Sequence, residues 1–217
     1  MMQITIREPG NALTHFIGMM LAIFASVPLL VKSGIGAGGT CFMAMGIFMV
    51  SMILLYGTST VYHTVNVSAK ALKIFRKIDH MMIFVMIAGS YTPVCLVVLG
   101  GKTGMLLLSL VWSIALAGMC MNLFWITCPK WLSSLVYIAL GWVCVLVFGE
   151  LLAVLPISAF LWLLAGGLVY TIGGVIYALK LKVFNGRHAN FGSHAIFHLF
   201  VLGGSICHFI FMYGYVA

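Results

Sequence analysis

The chain has 217 residues, 64% of them hydrophobic and only 6% charged, with a formal net charge of +8. Soluble domains carry roughly 25% charged residues, so a chain this poor in them cannot clothe a water-soluble globule. An integral membrane protein is expected, and no stretch alternates with the period of a transmembrane barrel strand, so the fold class is all-α.

Arg7, Glu8 and Pro9 precede the first apolar run, and no small-residue cleavage site follows it, which argues against a removed signal peptide. Seven runs are then long enough to cross a hydrocarbon core of roughly 30 Å as helices. They are His15–Val31, Cys41–His63, Asp79–Leu99, Met105–Trp125, Leu132–Leu152, Ile157–Leu179 and Ser193–Tyr215. Connections are short, giving one seven-helix transmembrane domain over residues 1–217 and no soluble module.

Polar residues inside such helices are costly and mark function, so each is read in turn. At the first helix, Glu8, Asn11 and His15 recur at i, i+3 and i+7 on one stripe. They are expected either to cap the helix start, with Pro9 where its missing donor costs little, or to form an outer layer or entrance to a site. The second run closes with STVYH, where Ser59 sits one turn before His63 on the same face. The third opens on Asp79 and carries AGSYTP, in which Ser90 shares the face of Asp79 and Pro93 predicts a kink.

Glu150, near the far end of the fifth run, is expected to hydrogen-bond at the membrane surface, and His80 and His188 to lie at headgroup level. The seventh run opens with HAIFH, placing His194 and His198 four apart on one helical face. His208 follows near the same face but about 15 Å deeper than His198. Gly203, Gly204 and Ser205 lie between, leaving room for close packing or for a cavity. The six cysteines show no paired spacing and are taken as packing residues.

Basic residues set the orientation. Arg7, Lys70, Lys73, Arg76, Lys77, Lys130, Lys180, Lys182 and Arg187 fall on the side of the N-terminus, and Lys32 and Lys102 on the other. Positive charge is retained on the cytoplasmic side, so the N-terminus is expected inside and the C-terminus outside. The basic loops then face anionic headgroups, which makes membrane lipids, and not nucleic acid, the expected partners.

With that topology His63, Asp79, His194 and His198 all arrive at the cytoplasmic end. Three neutral imidazoles are a familiar set for zinc with a fourth position open, so Zn2+ is the expected cofactor, held by His63, His194 and His198. Asp79 is a candidate ligand or, as general base, an acceptor for the metal's water. Ser59 is a candidate donor to an oxyanion or holder of that water.

STVYH, KIDHMMIFVMIAGSYTP and HAIFHLFVLGGSICHF, together with the opening EPGNALTHFIG, resemble the signature segments of the hemolysin III family. That family is the bacterial branch of the progestin and adiponectin receptor superfamily, and the resemblance runs from Glu8 to Phe209. It implies a multi-pass protein of the bacterial cell membrane with zinc near the cytoplasmic face. The metal would be bound by His63, His194 and His198, with Asp79 close to its water and Ser59 completing the SxxxH segment.

The superfamily is similar to alkaline ceramidases, which by analogy favours water activation. The function expected is a zinc-dependent hydrolase of lipid amides or esters, contributing to membrane lipid homeostasis. The alternative is a non-enzymatic membrane sensor with a structural zinc. A cytolytic pore former is the least supported reading, since a polytopic helical chain resembles a resident of the membrane.

Overall fold

The computed structural model describes residues 6–36, 38–125, 127–179 and 192–217. Seven helices are long and apolar enough to cross a membrane, and no strand occurs among the described residues. They are α1 (Pro9–Gly36), α2 (Gly38–Thr64), α3 (Ala69–Leu99), α4 (Gly101–Phe124), α5 (Lys130–Val154), α6 (Ile157–Leu179) and α7 (Ser193–Val216). Lys180, Lys182, Arg187 and His188 lie outside the described residues.

Helices adjacent in sequence pack side by side, and α1 closes the ring by packing against α7. Apolar side chains point both ways. Phe48, Tyr56, Phe84 and Phe211 fill the interior, while Phe24, Leu106 and Leu146 stand exposed on the outside. A helix apolar on every side needs an apolar surround, which here is lipid.

Five of the seven helices start earlier than hydropathy alone predicts, while α6 and α7 start at Ile157 and Ser193 as expected. α3 begins at Ala69, where the Ser68 hydroxyl accepts a hydrogen bond from the Ala71 amide at 3.4 Å. Asp79 therefore sits inside the helix and not at its opening. The reason is physical: a basic turn such as Lys70–Lys77 stays helical while its long side chains reach back to water, so charge ends an apolar run before it ends a helix.

Three helices change their winding along their length, α7 by ending in a π turn, Met212–Val216. α3 runs through Pro93 into a π turn, Val94–Leu99, so the proline's lost hydrogen bond is absorbed by a wider turn. Gly100 and Gly101, at φ of 60° and 49°, then reverse the chain into α4. α4 passes so close that a Cβ on Gly104 would lie 2.1 Å from the Cys95 carbonyl oxygen. α5 switches to a 3₁₀ turn over Trp142–Val147. There the Tyr91 hydroxyl donates to the Gly141 carbonyl at 2.6 Å and accepts from the Cys144 amide at 2.9 Å, satisfying backbone groups freed by the switch.

The six cysteines are free thiols, as their spacing predicts, with Cys41, Cys95 and Cys128 buried.

Candidate metal centre and its cavity

The chain entering α1 is pinned to the end of α2. The Glu8 amide donates to the His63 carbonyl at 3.0 Å, and the Arg7 guanidinium donates to the Tyr62 carbonyl at 2.6 Å while lying over the Tyr62 ring. α7 begins at the same end, which brings His63, His194 and His198 together. Their ring centroids are 4.6 to 5.1 Å apart, and each offers a nitrogen within 4.8 Å of the others. His63 and His198 are buried; His194 is half-buried.

The hydrogen bonds behind these rings fix which nitrogen faces the cluster. His63 Nδ1 lies 2.6 Å from Glu8 Oε2, which also accepts from Asn11 Nδ2 at 2.7 Å. A carboxylate only accepts, so Nδ1 carries the proton and Nε2 keeps its lone pair. His63 Nε2 is buried and has no hydrogen-bond partner among the described residues. His198 Nδ1 donates to the Asn11 carbonyl at 3.3 Å and contacts Thr14 Oγ1 at 3.1 Å. The Thr14 hydroxyl already has backbone carbonyls of Gly10 and Asn11 as acceptors, so its oxygen shares the single Nδ1–H with the Asn11 carbonyl as a second acceptor.

Two imidazoles are thus held through Nδ1 with Nε2 available, the arrangement by which outer partners orient metal-ligating histidines. This donor set fits a metal ion. Asp79 is not one of the residues whose ligand atoms gather within 4.8 Å.

Glu8 lies just before α1 and is partly exposed. The hydrogen bond from His63 holds its carboxyl down at about 2 from an ordinary 4.5; the Asn11 hydrogen bond and the Arg7 charge add to this, and partial burial opposes it.

A cavity of about 150 Å³ opens beside the histidines. Ser59, Asp79, His194 and His198 share its wall, and it extends past Ser90 and Thr171 to His208. Most of its surface is apolar. His208 packs so tightly on α6 that a Cβ at Gly166 would lie 2.1 Å from its ring, and it stands edge-on to Tyr170. Close packing and a cavity therefore coexist at the small residues of α7, with Gly204 facing the Tyr170 ring and Ser205 bonded to Tyr56 and Tyr170 hydroxyls at 2.7 and 2.8 Å.

Several positions differ from their sequence reading. His80, expected at headgroup level, lines the cavity, with Nδ1 3.3 Å from Asp79 Oδ2. The stripe Glu8, Asn11, His15 does more than begin α1: it backs the histidines. Thr14, beside that stripe, completes the support of His198, and its position three residues after Asn11 is the sequence signal for it. Tyr137 and Tyr177, also on the cavity wall, carry no sequence pattern that marks them. Glu150 is exposed and does not line the cavity.

Seven membrane-length helices with three imidazoles converging at one end of an internal cavity define a polytopic membrane protein with a candidate metal centre. The sequence profile described as Haemolysin-III related matches residues 3–209, and the chain belongs to that family. It is 36% identical to Hemolysin-3 of Bacillus cereus over 216 residues, covering 100% of this chain and 94% of that one. It is 39% identical to a Hemolysin-3 homolog of Bacillus subtilis (strain 168) over 206 residues, covering 94% and 92%. An adiponectin receptor protein of Drosophila melanogaster is 24% identical over 237 residues, 93% of this chain but 49% of the receptor, which supports the relation to the progestin and adiponectin receptor superfamily.

Proposed function

We propose that this protein is a zinc-dependent hydrolase of membrane lipids that cleaves an amide or ester linkage. The observation that carries the reading is that two of the three clustered imidazoles, those of His194 and His198, share the wall of one apolar cavity with a buried aspartate and a buried serine. A purely structural metal has no need of that cavity or of Asp79.

His63, His194 and His198 would hold the ion. Zinc bound by three protein ligands lowers the pKa of water to about 7 and so supplies a nucleophile at neutral pH. Asp79 takes the proton of the attacking water as general base. Ser59 donates to the oxygen on which charge develops in the tetrahedral transition state. The apolar wall toward His208 receives the hydrocarbon chain and excludes bulk water. With nine basic residues on the side of the N-terminus, the site faces the cytoplasm of the bacterial cell and draws substrate from the inner leaflet.

The test is turnover by purified protein in lipid, with metal content measured in parallel. Asp79→Asn should keep the metal and lose hydrolysis by at least a hundredfold, within the range of general-base catalysis. Metal-loaded wild type that turns over neither amide nor ester lipids would refute the proposal.

One observation favours a second reading. The ligand candidates sit on α2 and α7 and are hydrogen-bonded by Glu8, just before α1, and by Asn11 within it, so a metal there would join α2 to α7 with α1 held against both, and could serve a sensor. In that case His63→Ala should unfold the protein, while Asp79→Asn should change no function.

A further inference from the structure

His15 lies in the second turn of α1 and is 4% exposed. Its ring stacks on His198 with centroids 3.5 Å apart and planes at 12°, and stands edge-on to Tyr56 at 5.0 Å. Neither of its nitrogens has a hydrogen-bond partner among the described residues. The contrast with its neighbours is plain, since His63 and His198 each have an Nδ1 partner.

A buried polar atom without a partner destabilises a fold, and a phenylalanine here would keep both ring contacts without that cost. His15 is also outside the group whose ligand atoms gather within 4.8 Å. What His15 does share with His194 and His198 is the cavity wall, together with Ser59 and Asp79. The partner missing from the protein therefore belongs in the cavity.

We propose that His15 is a further substrate-contacting residue: its neutral ring donates one N–H to the carbonyl oxygen of a lipid amide or ester linkage lying beside the three-imidazole group. A neutral imidazole always presents one donor, and a carbonyl is the acceptor common to both linkages. The contact also seats that carbonyl next to His198, on which the ring is stacked. No proton is transferred; His15 binds and orients. The inference rests on the hydrolase reading for the identity of the ligand.

The experiment compares wild type, His15→Phe and His15→Gln as purified full chains. The probe is a long-chain dialkyl ketone, which keeps the carbonyl and cannot be hydrolysed; the matching alkane is the control. His15→Phe should keep wild-type metal content, and its metal-free form should melt at or above the wild-type temperature. Its affinity for the ketone should fall about tenfold with alkane binding unchanged, and His15→Gln, which retains an N–H donor, should recover part of the loss.

Unchanged ketone affinity in His15→Phe would overturn the inference. Loss of metal would overturn it too, by making His15 a ligand, as would a lowered melting temperature with both probes lost, by making it structural. Wild type that hydrolyses no lipid yet prefers ketone to alkane, with the preference lost in His15→Phe, would remove the enzymatic reading and leave this contact standing.

Discussion

Replacing Glu8 with alanine tests whether the start of α1 governs a metal site to which it contributes no ligand. The Glu8 carboxylate is the acceptor for His63 Nδ1 at 2.6 Å, and its removal leaves that N–H unpaired beside a ring that is fully buried. Outer partners of this kind are worth about 10- to 100-fold in metal affinity, or about 1.4 to 2.7 kcal/mol. The Glu8 side chain is 36% exposed, so solvent screens part of its effect and the lower end applies, about tenfold. Competition of purified protein with a graded series of chelators measures the loss directly. Glu8→Gln, which keeps an acceptor oxygen but not the charge, should fall between alanine and wild type. An affinity within twofold of wild type for Glu8→Ala, alongside complete metal loss in His63→Ala, would refute the argument that α1 orients the ligand.

The other expectations are of different kinds. Alanine at His194 or His198 should abolish stoichiometric metal by elemental analysis, since two imidazoles do not complete the set. Tyr91→Phe strips the Gly141 carbonyl and the Cys144 amide of their shared partner and should lower unfolding free energy by ~1–3 kcal/mol, measured by denaturant titration in detergent. Gly104→Ala forces a methyl into the Cys95 carbonyl and should cost ~1–3 kcal/mol in the same assay. Because the Glu8 carboxyl is held at about 2, below its ordinary 4.5, its stabilisation is complete above 4.5 and is lost as pH falls toward 2. The difference in melting temperature between metal-free wild type and Glu8→Gln should then be level above about pH 5 and shrink below it.

The number and kind of helices were legible because lipid imposes a requirement that hydropathy reports directly. The helix ends were not, and the case of α3 shows why: basic side chains that snorkel look like loop residues although Ser68 already caps a helix. The three histidines were legible because HAIFH is local and STVYH needed only a topology to meet it. Their outer partners were half legible. Glu8 and Asn11 form a visible stripe, yet their bonds to His63 and His198 join residues 55 and 187 apart in sequence, which no local pattern encodes. The stacking of His15 on His198 is of the same non-local kind.

The winding change in α5 has a bearing on the bilayer itself. A 3₁₀ turn rises about 2.0 Å per residue against 1.5 Å in an α-helix, so six such residues lengthen the segment by about 3 Å. Twenty-five residues that would reach about 38 Å as a regular helix thereby reach about 41 Å. The added length falls over Trp142–Val147, whose first residue lines the cavity. Rewinding that turn to a regular helix would shorten α5 toward the thickness of a thinner membrane, so the Tyr91 hydroxyl that secures the turn also holds α5 at its longer reach.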